Sequence, residues 1–174
     1  ESTRFPGKPL ALLDGVPMIM RVFDTCHRTG YDTYVLTDDT RIGKLFEDKH
    51  VIYTKDCLNG TERCAQALEH LNHDRFINVQ GDMPDITVEM IERVKYFLDC
   101  YPVTTLHTDL SQDKIDDPNT VKGITAKDNL LWCGRNIKGY GVHHLGVYGY
   151  NRTSLQIYPN LDIPIEEEIE KLEF

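Results

Sequence analysis

The sequence predicts an α/β fold: a parallel sheet covered on both faces by helices, followed by an antiparallel extension. Three observations carry this reading. Helical and strand-like periodicities alternate through the first half of the chain, the order that builds parallel sheets. The second half changes to strand-like runs separated by turn signals, with few helices between them. The 174 residues, 40% of them hydrophobic, supply one core and hardly two, so one domain over 1–174 is expected.

The elements follow in order. "PMIMRVFDTCHRTG" sets Met18, Ile19, Val22, Phe23 and Cys26 on one helical face and closes at Gly30. "YDTYVLTDD" is a short apolar strand that ends in polar residues, and "DTRIGKLFEDK" resumes helical spacing with Ile42, Leu45 and Phe46. "VIYT" is a second short strand; "TERCAQALEHL" is a helix facing inward with Cys64, Ala67, Leu68 and Leu71. "RFINVQGD" is a strand that stops at Gln80-Gly81-Asp82. "TVEMIERVKYFL" is a helix capped by Thr87, with Met90, Ile91, Val94, Phe97 and Leu98 as its apolar stripe. "PVTTLHT", "TVKGIT", "NLLWCGR" and "HHLGVYGY" are strands, punctuated by "DDPN" and "AKDN". The tail "PIEEEIEKLEF" is a short acidic helix whose glutamates 166–168 form a solvated face.

Composition removes several functions. A formal charge of −9 repels nucleic acid and anionic membranes, so a phosphate site must be a local gathering of cations. No apolar run reaches the roughly 18 residues of a membrane helix. The five cysteines are scattered without a C-x-x-C pair, which points to reduced thiols in the cytoplasm rather than zinc or disulfides. His70 and His73 have helical spacing but no partner ligands nearby, and read as a surface pair.

In open α/β sheets, ligands bind beyond the carboxyl ends of the strands. Three polar clusters fall there: "TDD" after Leu36, "NGTER" after "VIYTKDCL", and "QGDMPD" after "FINV". The opening "STRFPGKP" suits an anion. Gly7 permits close backbone approach, the prolines stiffen the turn, and Arg4 and Lys8 add a planar fork and a point charge. It is not the G-x-x-x-x-G-K-[ST] phosphate loop. Asp82, a carboxylate ending a strand, is suited to a hard cation. Asp38 and Asp39 read as helix caps, His143 as structural, and Trp132, Tyr148 and Tyr150 as core or pocket wall. Arg63 reads equally as an exposed helix arginine and as a ligand contact.

Taken together, "STRFPGKPL", "DGVPMI", "TDD", "NGTER", "NVQGDMP", "DPNTVK" and "HHLGVYGY" resemble, in order and over nearly the whole chain, the 3-deoxy-manno-octulosonate (Kdo) cytidylyltransferases, the CMP-Kdo synthetases. The resemblance implies a Rossmann-like three-layer nucleotidyltransferase with a small antiparallel lid or dimerisation extension. It implies a homodimer that binds CTP and Mg²⁺ and joins CMP to the anomeric hydroxyl of a Kdo-type sugar acid, releasing pyrophosphate. It further implies Arg4, Lys8 and Asp82 as catalytic residues, with Asp82 on the metal. Ser2, Arg4, Lys8, Asn59, Gly60, Arg63, Gln80 and Gly81 would bind the nucleotide, and Arg135, His144, Gly146 and Tyr148 the sugar. Asn59, Gly134 and Met83 replace the family's serine, serine and glutamate, with Asp85 a compensating charge beside Met83. The family's preceding hydrophobic strand and P-A-R, and its later V-D-T-x-x-D segment with the second metal carboxylate, have no counterpart here, and the span from Arg135 to His143 is shorter. The sequence, without that central strand, is therefore expected to be part of a longer chain or a chain with segments left out, rather than an enzyme that has no such strand. Two other functions stay open: a non-catalytic nucleotide or sugar-nucleotide binder, and a nucleotidyltransferase of the same fold with another base or sugar.

Overall fold

The computed structural model describes residues 7–162. Ser2, Arg4 and the expected acidic tail helix lie outside them. A two-strand hairpin, β1 (Leu12–Leu13) and β2 (Val16–Pro17), opens the fold. Asp14 and Gly15 form its turn with φ of 49° and 79°, the doubly positive pair that a tight hairpin needs. Next come α1 (Met18–His27), β3 (Val35–Thr37), the short α2 (Thr40–Gly43), β4 (Val51–Tyr53) and α3 (Gly60–Gln66). They are followed by β5 (Arg75–Val79), α4 (Val88–Leu98), β6 (Val103–Thr108), β7 (Lys122–Ala126), β8 (Asn129–Gly134), β9 (Val142–Asn151) and α5 (Arg152–Ile157).

Ten-residue β9 is the spine. β5 pairs with it antiparallel on one side, Val79 opposite Val147 and Arg75 opposite Asn151. β6 pairs antiparallel along it, Val103 opposite Tyr150 and Thr108 opposite His143. Its first residues also meet β7, Lys122 opposite His143, and β7 carries β8 outward as the antiparallel extension. Successive side chains on a strand face opposite ways, so β9 feeds two cores. Val147 points into one with Val22 of α1, Ile91, Val94 and Leu98 of α4, and Ile77 and Val79 of β5. Tyr148 and Tyr150 belong to the other, with Cys64 of α3, Leu155 of α5 and Phe76 of β5. Helices thus cover both faces of the sheet.

The expected helix and strand runs appear, with three differences. Helical structure after Asp39 stops at Gly43, and Leu45 and Phe46 continue as turn. The "TERCAQALEHL" helix tightens into a 3₁₀ turn at Ala67–Glu69. Trp132 is 48% exposed on β8, so it is neither core nor buried wall. The cysteines are free, with Cys64 and Cys133 buried.

The parallel sheet is the larger correction. Among the described residues only β3 and β4 pair parallel, Leu36 opposite Ile52. β5 does not join them. Between β3 and β5 runs a cleft of about 750 Å³, lined by Tyr34 and Leu36 on one side and Phe76, Ile77 and Val79 on the other. The physical reason is that no described strand lies between them, and α3 packs across instead: Cys64 sits among Leu36 and Phe76.

Packing between α4 and β9 leaves no room for a side chain at Gly149, where a Cβ would stand 2.6 Å from Val94 and 2.8 Å from Leu98. Gly149→Ala is expected to destabilise the fold by about 1–3 kcal/mol through overpacking, read as a lower urea midpoint with unchanged slope.

Candidate active site

The site begins with a reversal of the chain. Gly7, at φ 73°, turns into one 3₁₀ turn, Lys8–Leu10, closed by Leu10 N–H donating to Gly7 O at 2.8 Å. That turn aims Lys8 at the end of β5, and its Nζ donates to Asp82 Oδ2 at 2.7 Å. The Gln80-Gly81-Asp82 segment is a turn in its own right, Met83 N–H reaching Gln80 O at 3.1 Å. Gly81 lets α1 come close: a Cβ there would lie 3.2 Å from Ile19. The turn also rests on β9, because a Cβ at Gly146 would lie 3.3 Å from the Gln80 side chain and 3.4 Å from Met83 Sδ. Lys8, Gln80, Gly81, Asp82 and Gly146 are thereby brought together.

The Lys8–Asp82 side chains are 38% and 31% exposed. A half-exposed ion pair contributes about 1 kcal/mol or less, so a ligand that offers a phosphate to the lysine or a cation to the carboxylate displaces it at little cost. Met83 points into the core and Asp85 is exposed. Among the described residues, no group of three or more His, Cys, Asp and Glu gathers as a metal cage. Asp82 therefore offers a single hard oxygen ligand. That fits an octahedral cation completed by phosphate and water, and does not fit a cation held by protein alone.

α3 supplies the next wall. Asn59 caps it, Oδ1 accepting from Glu62 N–H at 2.9 Å, while its Nδ2 donates to Tyr158 OH at 2.7 Å. Glu62 accepts from Leu58 N–H at 2.6 Å, and buried Thr61 shares a 2.7 Å hydrogen bond with Tyr150 OH on β9. Asn59 and Gly60 thus sit at a helix start fixed from both sides. Arg63 does not stand loose on the helix. Its guanidinium donates to Thr54 Oγ1 and pairs with Asp38 at 3.3 Å, tying the ends of β4 and β3 together. Asp39 is the cap foreseen, accepting from Arg41 N–H at 2.8 Å; Asp38 instead serves Arg63.

On the sugar side of the resemblance, His144 and Tyr148 share one face of β9, with ring centroids 5.6 Å apart. His144 is 7% exposed, and its Nε2 lies 2.8 Å from Thr105 Oγ1. Burial first, then His143 and His107, push its pKa down to about 4. It is therefore a neutral ring at pH 7. Arg135 follows the end of β8, beside the rung where Lys122 meets His143. Lys122, fully buried, donates from Nζ to Asp117 O at 2.8 Å and pins the loop before β7. Thr105 and Lys122 escaped the sequence reading as individual residues: nothing in "VTTLHT" separates one threonine from another.

A helix-covered sheet with a lysine and a carboxylate paired at its strand ends is the architecture of a nucleotidyltransferase. A family model described as cytidylyltransferase matches residues 1–168, and the chain belongs to that family. Curated relatives include 8-amino-3,8-dideoxy-manno-octulosonate cytidylyltransferases of Shewanella sp. (strain ANA-3), 36% identical over 194 positions that cover 99% of this chain and 79% of the relative, and of Shewanella sediminis (strain HAW-EB3), 34% identical with the same coverage. Among solved structures, a CMP:2-keto-3-deoxy-manno-octonic acid synthetase complexed with CTP superposes with a TM-score of 0.87 at 30% identity, over 99% of this chain and 78% of the other. The inositol-1-phosphate CTP transferase of T. maritima, at TM-score 0.70 and 15% identity over 98% of this chain and 73% of the other, shares the fold.

The neutral His144 makes stability depend on pH. Its folded pKa, about 4, lies below the ordinary 6.5, so the unfolded chain takes up the proton first. The stabilisation is complete above about pH 6.5 and is lost as pH falls toward 4. His144→Gln is expected to lose about 2 kcal/mol less than the parent protein between pH 7 and pH 4.5, compared by urea denaturation at both pH values.

Proposed function

We propose that this cytidylyltransferase joins CMP from CTP to the anomeric hydroxyl of a Kdo-type 2-keto sugar acid. The observation that carries the reading is the Lys8–Asp82 pair at 2.7 Å on the carboxyl rim of a cytidylyltransferase fold. The hydroxyl oxygen bonds to the α-phosphorus and loses its proton to solvent. The bond from that phosphorus to the bridging oxygen breaks, and pyrophosphate leaves with the electron pair. Charge grows on the leaving group, and a lysine pre-aimed at the rim is placed to neutralise it. Arg4, outside the described residues, is proposed as the second cation of the same clamp. Asp82 would hold Mg²⁺, which when bound supplies further neutralisation of phosphate charge. Asn59 and Gly60 shape the wall beside the nucleotide. Arg63 acts by holding the ends of β3 and β4 in place, since its hydrogen-bonding fork faces Thr54 and Asp38.

The sugar acid sits toward β9, where Gly146 seats the Gln80–Asp82 turn and His144 and Tyr148 share one face. His144 orients and does not carry charge, since a ring that titrates near pH 4 is a poor base at neutral pH. The names of the Shewanella relatives and of the CTP-complexed synthetase support a Kdo-type acceptor, with either a hydroxyl or an amine at the sugar's far end. A homodimer is proposed through the extension, where Leu131 and Tyr140 are each 63% exposed. The cytoplasm is the proposed compartment.

Pyrophosphate release from CTP is the test, with Kdo and 8-amino-3,8-dideoxy-Kdo as acceptors. Asp82→Asn is expected to lower turnover at least about a hundredfold, roughly 3 kcal/mol of barrier, and near-normal turnover in that variant would remove Asp82 from the mechanism. Lys8→Ala is expected chiefly to raise the KM for CTP; an unchanged value would remove the lysine from the phosphate site. Release from UTP and not from CTP would overturn the base assignment.

A further inference from the structure

We propose that Lys8 and Asp82 form a mutual latch: each holds the other away from its ligand, so phosphate and divalent cation bind this site cooperatively and each binds weakly alone. The proposal rests on the reading that Lys8 meets the triphosphate and Asp82 the metal. Lys8 Nζ donates to Asp82 Oδ2 at 2.7 Å. Among the described residues, neither side chain has a second hydrogen bond or ion pair. The group suited to an anion is thus occupied by a carboxylate, and the group suited to a cation is occupied by an ammonium.

The fold lets this latch open by a side-chain swing alone. Gly7 O accepts from Leu10 N–H at 2.8 Å and Lys8 O from Ala11 N–H at 3.0 Å, which fixes the backbone under the lysine. Gln80 O accepts from Met83 N–H at 3.1 Å and Met83 O from Ile86 N–H at 3.2 Å, which fixes the turn under the aspartate. Between the two fixed bases stands a flexible four-carbon stem, 38% exposed, ending in a point charge with one contact. The Arg41–Asp39 pair is the contrast. There a planar fork makes three contacts, from Nε to both carboxylate oxygens and from Nη2 to Oδ2. A single ammonium contact is released more easily than that grip.

Charge supplies the coupling. A phosphate that approaches the paired Lys8 is repelled by the Asp82 carboxylate beside it, and a dication that approaches Asp82 is repelled by the ammonium. Once Lys8 has turned to a phosphate, Asp82 is open to a cation. Once Asp82 has accepted a cation, Lys8 is open to a phosphate. The coupling is reciprocal, as any binding linkage must be. Its size is bounded by the pair itself, and a half-exposed pair of this kind contributes up to about a fivefold factor in affinity. The form of the nucleotide that suits the site is then the metal complex of CTP, and metal-free CTP is the poorer ligand.

Calorimetric titration of CTP in the presence of a chelator tests the latch, using the parent protein, Lys8→Met, Asp82→Asn and the doubly substituted protein. Asp82→Asn is expected to bind metal-free CTP about fivefold more tightly than the parent, and to lose that gain when Lys8→Met is added. A gain that persists undiminished without the lysine reports only the removal of a negative charge and overturns the proposal; no gain at all overturns it too. Mn²⁺ alone, followed by water-proton relaxation, is the second probe. Lys8→Met is expected to bind it about fivefold more tightly than the parent, and an equal or weaker affinity overturns the proposal. CTP together with Mn²⁺ separates the two layers. If both single variants weaken that binding while the single-ligand affinities stay at parent values, the phosphate and metal roles stand and the latch alone fails. If neither variant weakens it, Lys8 and Asp82 lie outside the nucleotide site and the proposal falls with that reading.

Discussion

Val147 and Tyr148 are neighbours on β9, and the alternation of a strand sends them into opposite cores. The rest of the fold depends on that single constraint. α1 and α4 are held because Val147 and its partners on β5 give them an apolar floor. α3 and α5 are held because Tyr148, Tyr150 and Phe76 do the same on the other face. A shift of β9 by one residue would exchange the two floors and put tyrosine hydroxyls among the valines of α4. The Thr61–Tyr150 hydrogen bond and the close seat of α4 over Gly149 both fix the register that avoids this. The site inherits its geometry from the same strand: Gly146 is where the Gln80–Asp82 turn can lie flat against β9.

The Lys8–Asp82 pair shows how two charges at a sheet's rim are ordered by each other. Two opposite charges satisfy each other at 2.7 Å, yet their exposure leaves the pairing shallow in energy. A lysine ordered in advance loses less conformational entropy on meeting any anion. The carboxylate meanwhile has a positive neighbour in Lys8.

Much of the fold was legible because its signals are local. Thr87 before an apolar stripe at helical spacing announces α4, and Oγ1 of Thr87 does accept from Met90 N–H at 3.3 Å. "HHLGVYGY" and "NLLWCGR" read as strands and are strands. The Asp14-Gly15 hairpin carried an equally local signal that went unread, as did the Asn151 cap of α5, which accepts from Ser154 N–H at 2.8 Å. What could not be read were the relations between distant segments. Arg63 looks the same in sequence whether it meets solvent, phosphate or Asp38. The contact of Thr105 with His144 arises beside a register slip that no spacing of residues encodes. Lys8 and Asp82 were each picked as site residues, but only the folded chain shows that they touch.

The Arg63 bridge has a further meaning for the rim of the sheet. One planar fork on α3 reaches both Thr54 and Asp38, so two neighbouring loops share a single strut. A displacement of either loop is passed to the other through that guanidinium, and the two would move as one body rather than separately.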